Sequence, residues 1–175
     1  GGFVSSMVSP SSPFEQAIIT FGPLDQLLSP QEIQGFNLFV EKYQCMTCHD
    51  VVSTFGYSES FGGEFVNIGL DDEYADKGLA SLTGNESDNG KFRIPNLRNI
   101  ALTAPYMHDG RFETLEEVID HYSDGVSTHP NLDHRLRDAQ GMAEVQNITV
   151  SEKAALVAFL NSLTDHTFTN NPAFS

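Results

Sequence analysis

Both cysteines of this chain fall within one four-residue stretch, Cys45-Met46-Thr47-Cys48, and a histidine, His49, follows at once. Three chemistries use a C-x-x-C pair, and each makes a different demand on the fold. A structural zinc site needs two further Cys or His ligands at suitable spacing, and no third cysteine exists. A thioredoxin-like redox pair sits where a strand meets a helix in a βαβ unit. Here the pair follows a helical pattern, and no alternation of strands and helices appears. The third chemistry is a c-type haem, with Cys45 and Cys48 as thioethers to the porphyrin vinyl groups and His49 on the iron. The spacing holds both sulfurs at one edge of the macrocycle while the adjacent imidazole turns under the metal, and this is the reading we adopt.

A chain of 175 residues normally forms one domain that buries roughly 70% of its unfolded surface, so no disulfide is required. No run approaches 18 uninterrupted apolar residues, which argues against a membrane span. The opening GGFVSSMVS lacks the basic region and long apolar run of a signal peptide. Haem attachment to C-x-x-C-H ordinarily takes place in an exported compartment, so the expected location is the periplasm or the cell exterior. The 24 acidic against 9 basic residues, a net charge of −15, make nucleic acid a poor partner. That charge keeps the protein soluble, and it suits steering of a positively charged redox partner or holding of a hard cation such as calcium.

Along the chain, residues 1–28 are rich in Ser, Pro and Gly and read as a linker with a helical turn or two. Ser29-Pro-Gln-Glu32 is a capping box with proline at the first helical position. It predicts a helix to about Lys42, with Ile33, Phe36, Phe39 and Val40 on one face. Residues 51–91 read as a long loop, uncommon in a compact domain unless it has a task; wrapping a haem edge is such a task. KFRIPNLRNI predicts a short extended segment. Thr114-Leu-Glu-Glu117 is a second capping box, opening a helix to about Ser123 with Leu115, Val118, Ile119 and Tyr122 at helical spacing. A last helix from Thr149 or Ser151 carries Leu156, Phe159, Leu160 and Leu163, and 166–175 read as a loosely docked tail. The fold class expected is mainly α: one cytochrome c-like domain over 29–165, with long loops around one covalent haem. In such a fold the terminal helices cross beside the haem, with Gly35 and Phe36 or Phe39 meeting Leu156, Phe159 or Leu160.

The second axial position of the iron decides the chemistry. A thioether raises the reduction potential, a phenolate lowers it, and an open position admits peroxide or oxygen. The residues leave Met107, Tyr122, Met142 and the remaining histidines as candidates. The segments SPFEQAI, LSPQEIQGFNLF, CMTCH, KFRIPNLRN, LTAPYMHDGRFETLEEVIDHY and EKAALVAFLNSLTD together resemble the C-terminal half of the bacterial di-haem cytochrome c peroxidase family, which includes the MauG-like enzymes. The resemblance covers about Phe3 to Phe168. It implies an electron-transfer haem domain whose peroxidatic N-terminal haem domain is absent here, the first residues resembling the family's interdomain segment. The chain would then be part of a peroxidase or oxidoreductase, and alone an electron-transfer unit that is inactive or weak as a peroxidase. A free-standing mono-haem carrier, or a haem subunit of a larger redox complex, is the alternative.

In this family the distal ligand of the C-terminal haem is a methionine in peroxidases and a tyrosine in the MauG-like branch. The resemblance assigns that position to Tyr122, with Met107 as runner-up. It also implies calcium held partly by backbone carbonyls of the LTAPY segment, making Thr103 and Pro105 candidates. Arg98 and Arg111 could offset the haem propionates or form ordinary surface ion pairs. The implied partners are the N-terminal haem domain and a small redox protein such as a cytochrome c or cupredoxin.

Overall fold

The computed structural model describes residues 11–51 and 64–170. The first ten residues of the expected linker, the Gly62-Gly63 turn signal and the last five residues of the expected tail lie outside them. In chain order the elements are α1 (Pro13–Ile19), α2 (Pro30–Asn37), β1 (Phe65–Val66), α3 (Ala80–Thr83), β2 (Phe92–Arg93), α4 (Leu115–Asp120), α5 (Val150–Ser162) and α6 (His166–Thr169). Two helices widen at their C-terminal ends into π turns, α2 over Leu38–Lys42 and α4 over His121–Gly125. Where the sequence predicts one domain, the chain divides into two compact units: the first built from residues 11–51, 96–104 and 150–170, the second from 64–95 and 105–149.

The first unit is organised by the crossing of α2 and α5. Gly35 is buried at that crossing, where a Cβ would stand 2.0 Å from the Ala155 carbonyl oxygen and 2.7 Å from the Phe159 Cβ. Only glycine lets the two backbones come so close. Around the crossing Phe159, fully buried, packs against Phe14, Phe36 and Phe39 with ring centroids 5.1, 5.5 and 5.2 Å away. Each such aromatic pair adds about 0.5–1.5 kcal/mol beyond its area burial. The expected capping box at Ser29 is present: its hydroxyl accepts from the Glu32 N–H at 3.3 Å while its own N–H donates to the Glu32 carboxylate at 2.6 Å.

The segment read as a linker contributes to this core. In α1 the Ser12 hydroxyl caps the Glu15 N–H at 3.2 Å, and Phe14 and Ala17 are buried. The C-terminal stretch is likewise anchored as far as it is described, because the buried Asp165 carboxylate caps α6 through the Thr167 and Phe168 N–H groups and accepts from the Ser11 N–H at 3.1 Å. Burial of Phe14 explains the first departure: an apolar ring packed against both Phe36 and Phe159 fixes the backbone that carries it.

The second unit holds the small β element, with Phe65 opposite Arg93 and Val66 opposite Phe92 in an antiparallel pair. Its interior is knitted by a polar group. Asn67 is fully buried; its amide nitrogen donates to the Asn89 carbonyl and to His129 Nδ1, both at 3.2 Å, while its oxygen accepts from the Gly69 N–H at 2.8 Å and the Tyr74 hydroxyl at 3.0 Å. His129 Nδ1 also accepts from the Asn131 N–H at 3.0 Å. Every hydrogen-bonding capacity of the Asn67 side chain is filled, which makes burying it tolerable.

Replacing Gly35 with alanine should destabilise the chain by at least about 2 kcal/mol, because overpacking here meets backbone rather than a movable side chain. Urea denaturation midpoints of wild type and Gly35→Ala, followed by circular dichroism, check this.

Candidate haem-attachment site

The π turn at the end of α2 passes into Gln44, whose φ of 51° is left-handed and reverses the chain. Cys45–Thr47 then form one 3₁₀ turn, closed by Cys48 N–H and His49 N–H on the Cys45 carbonyl at 3.2 and 2.9 Å. Thr47 locks the start of the turn, its hydroxyl donating to the Gln44 carbonyl at 2.8 Å. Residues three apart eclipse in a 3₁₀ turn, so Cys45 and Cys48 project from the same side. They are unbridged and half-buried, and His49 follows half-buried on the next position. The surroundings push the Cys45 thiol up to about 12 through burial.

This donor set suits thioether attachment better than the competing chemistries. Among the described residues no group of three or more His, Cys, Asp or Glu side chains could hold a metal ion, which leaves a four-ligand zinc site without partners. The pair lies after a helix and not at a strand-to-helix junction. Lys42, just before the motif, pairs with Glu152 of α5 and lies over the Tyr43 ring at 4.9 Å, so the attachment turn is tied to the same helix crossing that buries Gly35.

The other sequence candidates distribute as follows. Tyr122 is half-buried in the second unit, in the π turn that follows α4, with its ring edge-on to His121 at 5.2 Å. π turns inside helices recur at functional sites. His121 is buried, its Nε2 bonded to the Ile68 carbonyl at 3.1 Å, and burial holds its pKa below the ordinary histidine value. Met107, half-buried, occupies a left-handed position with φ of 71° in the turn that Tyr106 N–H closes on the Phe112 carbonyl at 2.7 Å. Met142 is exposed. Thr103 and Pro105 are both exposed, with the Thr103 hydroxyl donating to the Ile100 carbonyl at 3.0 Å.

The two arginines differ. Arg111 is the centre of an ion-pair cluster inside the second unit. Its Nε donates to Asp109 at 2.8 Å and its terminal nitrogens to both Asp71 oxygens at 2.8 Å and to the Leu70 carbonyl at 3.2 Å. The guanidinium holds the Asp71 and Asp109 carboxyls below the usual carboxylate range. This favours the ion-pair reading of Arg111. Arg98 belongs to the first unit, where its Nε donates to the buried Glu15 carboxylate. Sequence reasoning passed over Glu15, although Ser12-Pro-Phe-Glu15 repeats the pattern of Ser29-Pro-Gln-Glu32.

Comparison with known proteins places this arrangement. No protein-family profile matches the chain. It is 30% identical over 173 residues to the methylamine utilization protein MauG of Methylorubrum extorquens, covering 92% of this chain and 41% of that protein. It is 35% identical over 118 residues to the cytochrome c551 peroxidase of Nitrosomonas europaea, covering 67% of this chain and 34% of the relative. The crystal structure of a MauG-like protein associated with microbial copper homeostasis matches 95% of this chain and 52% of its own, with 36% identity and a TM-score of 0.73. The chain is homologous to the C-terminal part of the di-haem cytochrome c peroxidases and MauG-like proteins. It spans about half or less of the length of these relatives. The di-haem peroxidase BthA of Burkholderia thailandensis, at 23% identity and a TM-score of 0.70 over 94% of this chain, shares the fold. Among the described residues no helix is long and apolar enough to cross a membrane.

The Arg111 cluster yields a pH prediction. Asp71 and Asp109 have folded pKa values depressed below their ordinary 3.8, so their stabilisation is present above that value and lost as pH falls through the depressed ones. The stability gap between wild type and Arg111→Gln should therefore be larger at about pH 7 than at about pH 3. Urea titrations of both proteins at the two pH values test it.

Proposed function

We propose that this chain is the C-terminal, haem-bearing part of a di-haem cytochrome c peroxidase or MauG-like enzyme, and that it transfers electrons through one covalently attached c-type haem. The observation that carries the reading is the 3₁₀ turn that aligns unbridged Cys45 and Cys48 and delivers His49 directly after them. When bound, haem c supplies reversible one-electron chemistry at its iron. The chain's own residues anchor and tune it. Cys45 and Cys48 would hold the porphyrin and His49 would give an imidazole nitrogen to the iron. Tyr122 would offer a phenolate oxygen to the iron, as in the MauG-like branch; Met107 is the competing donor. Backbone carbonyls at Thr103 and Pro105 are suited as hard oxygen ligands for calcium.

Full peroxidase or oxidase activity would require the N-terminal haem domain that the relatives carry, and a small basic redox protein such as a cytochrome c or cupredoxin would exchange electrons with the acidic surface. Attachment of haem to C-x-x-C-H further implies an exported, periplasmic setting.

Expression alongside a cytochrome c maturation system should give protein whose mass exceeds that of the polypeptide by one haem and whose colour survives denaturation. A Cys45→Ala, Cys48→Ala variant should lose both properties, and colourless wild-type protein would overturn the reading. Tyr122→Phe should change the optical and electron paramagnetic resonance spectra of the ferric protein, whereas Met107→Leu should leave them as they are. The reverse pattern would transfer the distal position to Met107.

A further inference from the structure

We propose that Glu15 is a positioning residue that sets the reduction potential of the haem: it holds Arg98 and cancels the guanidinium charge beside the residue that follows the iron-binding His49. The inference rests on the haem reading above and adds to it a carboxylate from a segment that the sequence presents as linker.

Glu15 is only 8% exposed, and Ser12 beside it is fully buried. One carboxylate oxygen accepts from Arg98 Nε and the other from the Ser12 hydroxyl at 3.0 Å. Arg98 is held from its backbone as well, its N–H donating to the Asn96 side chain at 2.7 Å. Ser12, Glu15, Asn96, Arg98 and Asp50 line one small cavity of the first unit, and Asp50 is the immediate neighbour of His49. The Glu15–Arg98 pair therefore stands next to the strand of chain that would bind iron.

Capping alone does not require a charge at Glu15, because the Ser12 hydroxyl already takes the Glu15 N–H at 3.2 Å. Stability does not require it either, since burying an ion pair costs desolvation that its attraction repays incompletely. Electrostatics at the iron does give it a task. Ferric iron carries one more positive charge than ferrous iron, so an uncompensated guanidinium nearby favours the ferrous form and raises the potential. An uncompensated carboxylate does the opposite. Paired, the two charges nearly cancel at a distance, and partial exposure of Arg98 screens what remains.

The test is a mediated spectroelectrochemical titration of the haem-loaded full chain. Glu15→Gln should raise the midpoint potential, Arg98→Gln should lower it, and the double variant should return close to wild type. Ser12→Ala, which removes the cap but no charge, should reduce thermal stability and leave the potential in place. A purely structural role for the pair would destabilise both single variants without moving their potentials in opposite directions; potentials that stay put or move together overturn the proposal. Should Glu15→Gln fail to accumulate, a lowered potential in Arg98→Gln that the double variant restores supports it, and no such restoration overturns it. Wild-type protein without haem would sink the functional reading and this inference with it, whereas haem-loaded variants with unmoved potentials would sink the inference alone.

Discussion

The contact of two helix backbones at Gly35 is the constraint on which the first unit depends. A carbonyl of α5 occupies the space where any side chain would begin, so α2 and α5 meet at a fixed point and angle. Four phenylalanine rings close around that point and convert it into a core. The helix that carries Gly35 continues through its π turn and the left-handed Gln44 to Cys45, with Lys42 pairing back to Glu152 of α5. The placement of the Cys45–Thr47 turn is thus a consequence of helix packing, and local hydrogen bonds complete it.

The second unit solves the same problem with different material. It has short elements and little regular structure, and a buried polar network works beside an apolar core that includes Leu70, Ile94, Leu115, Ile119 and Leu132. Asn67, Tyr74 and His129 each tolerate few alternative arrangements because every bond has a required angle, and Arg111 joins the turns at Asp71 and Asp109 from outside. Such interiors define one arrangement sharply, since leaving any member unpaired in a buried setting is costly.

What could be read in the sequence follows from this contrast. The boxes at Ser29 and Thr114, the apolar spacing of α2, α4 and α5, and the glycine at the crossing are all signals written within a few residues of where they act. The C-x-x-C-H motif is equally local. Ser12-Pro-Phe-Glu15 carries the same capping signal, but its Ser- and Pro-rich setting masks it, and the burial of Phe14 is decided by Phe36 and Phe159 far along the chain. The joining of Asn67 to His129 and to the Asn89 carbonyl could not be read locally, because those partners lie 62 and 22 residues away. The same is true of the pairing between Glu15 and Arg98, which lie 83 residues apart.

The bond from the Ser11 amide to the Asp165 carboxylate has a topological meaning. It ties the residue that leads into α1 to the residue that caps α6, 154 positions along the chain. A pull on the segment just ahead of α1 is therefore carried directly to the cap of α6, and loosening either one slackens the other.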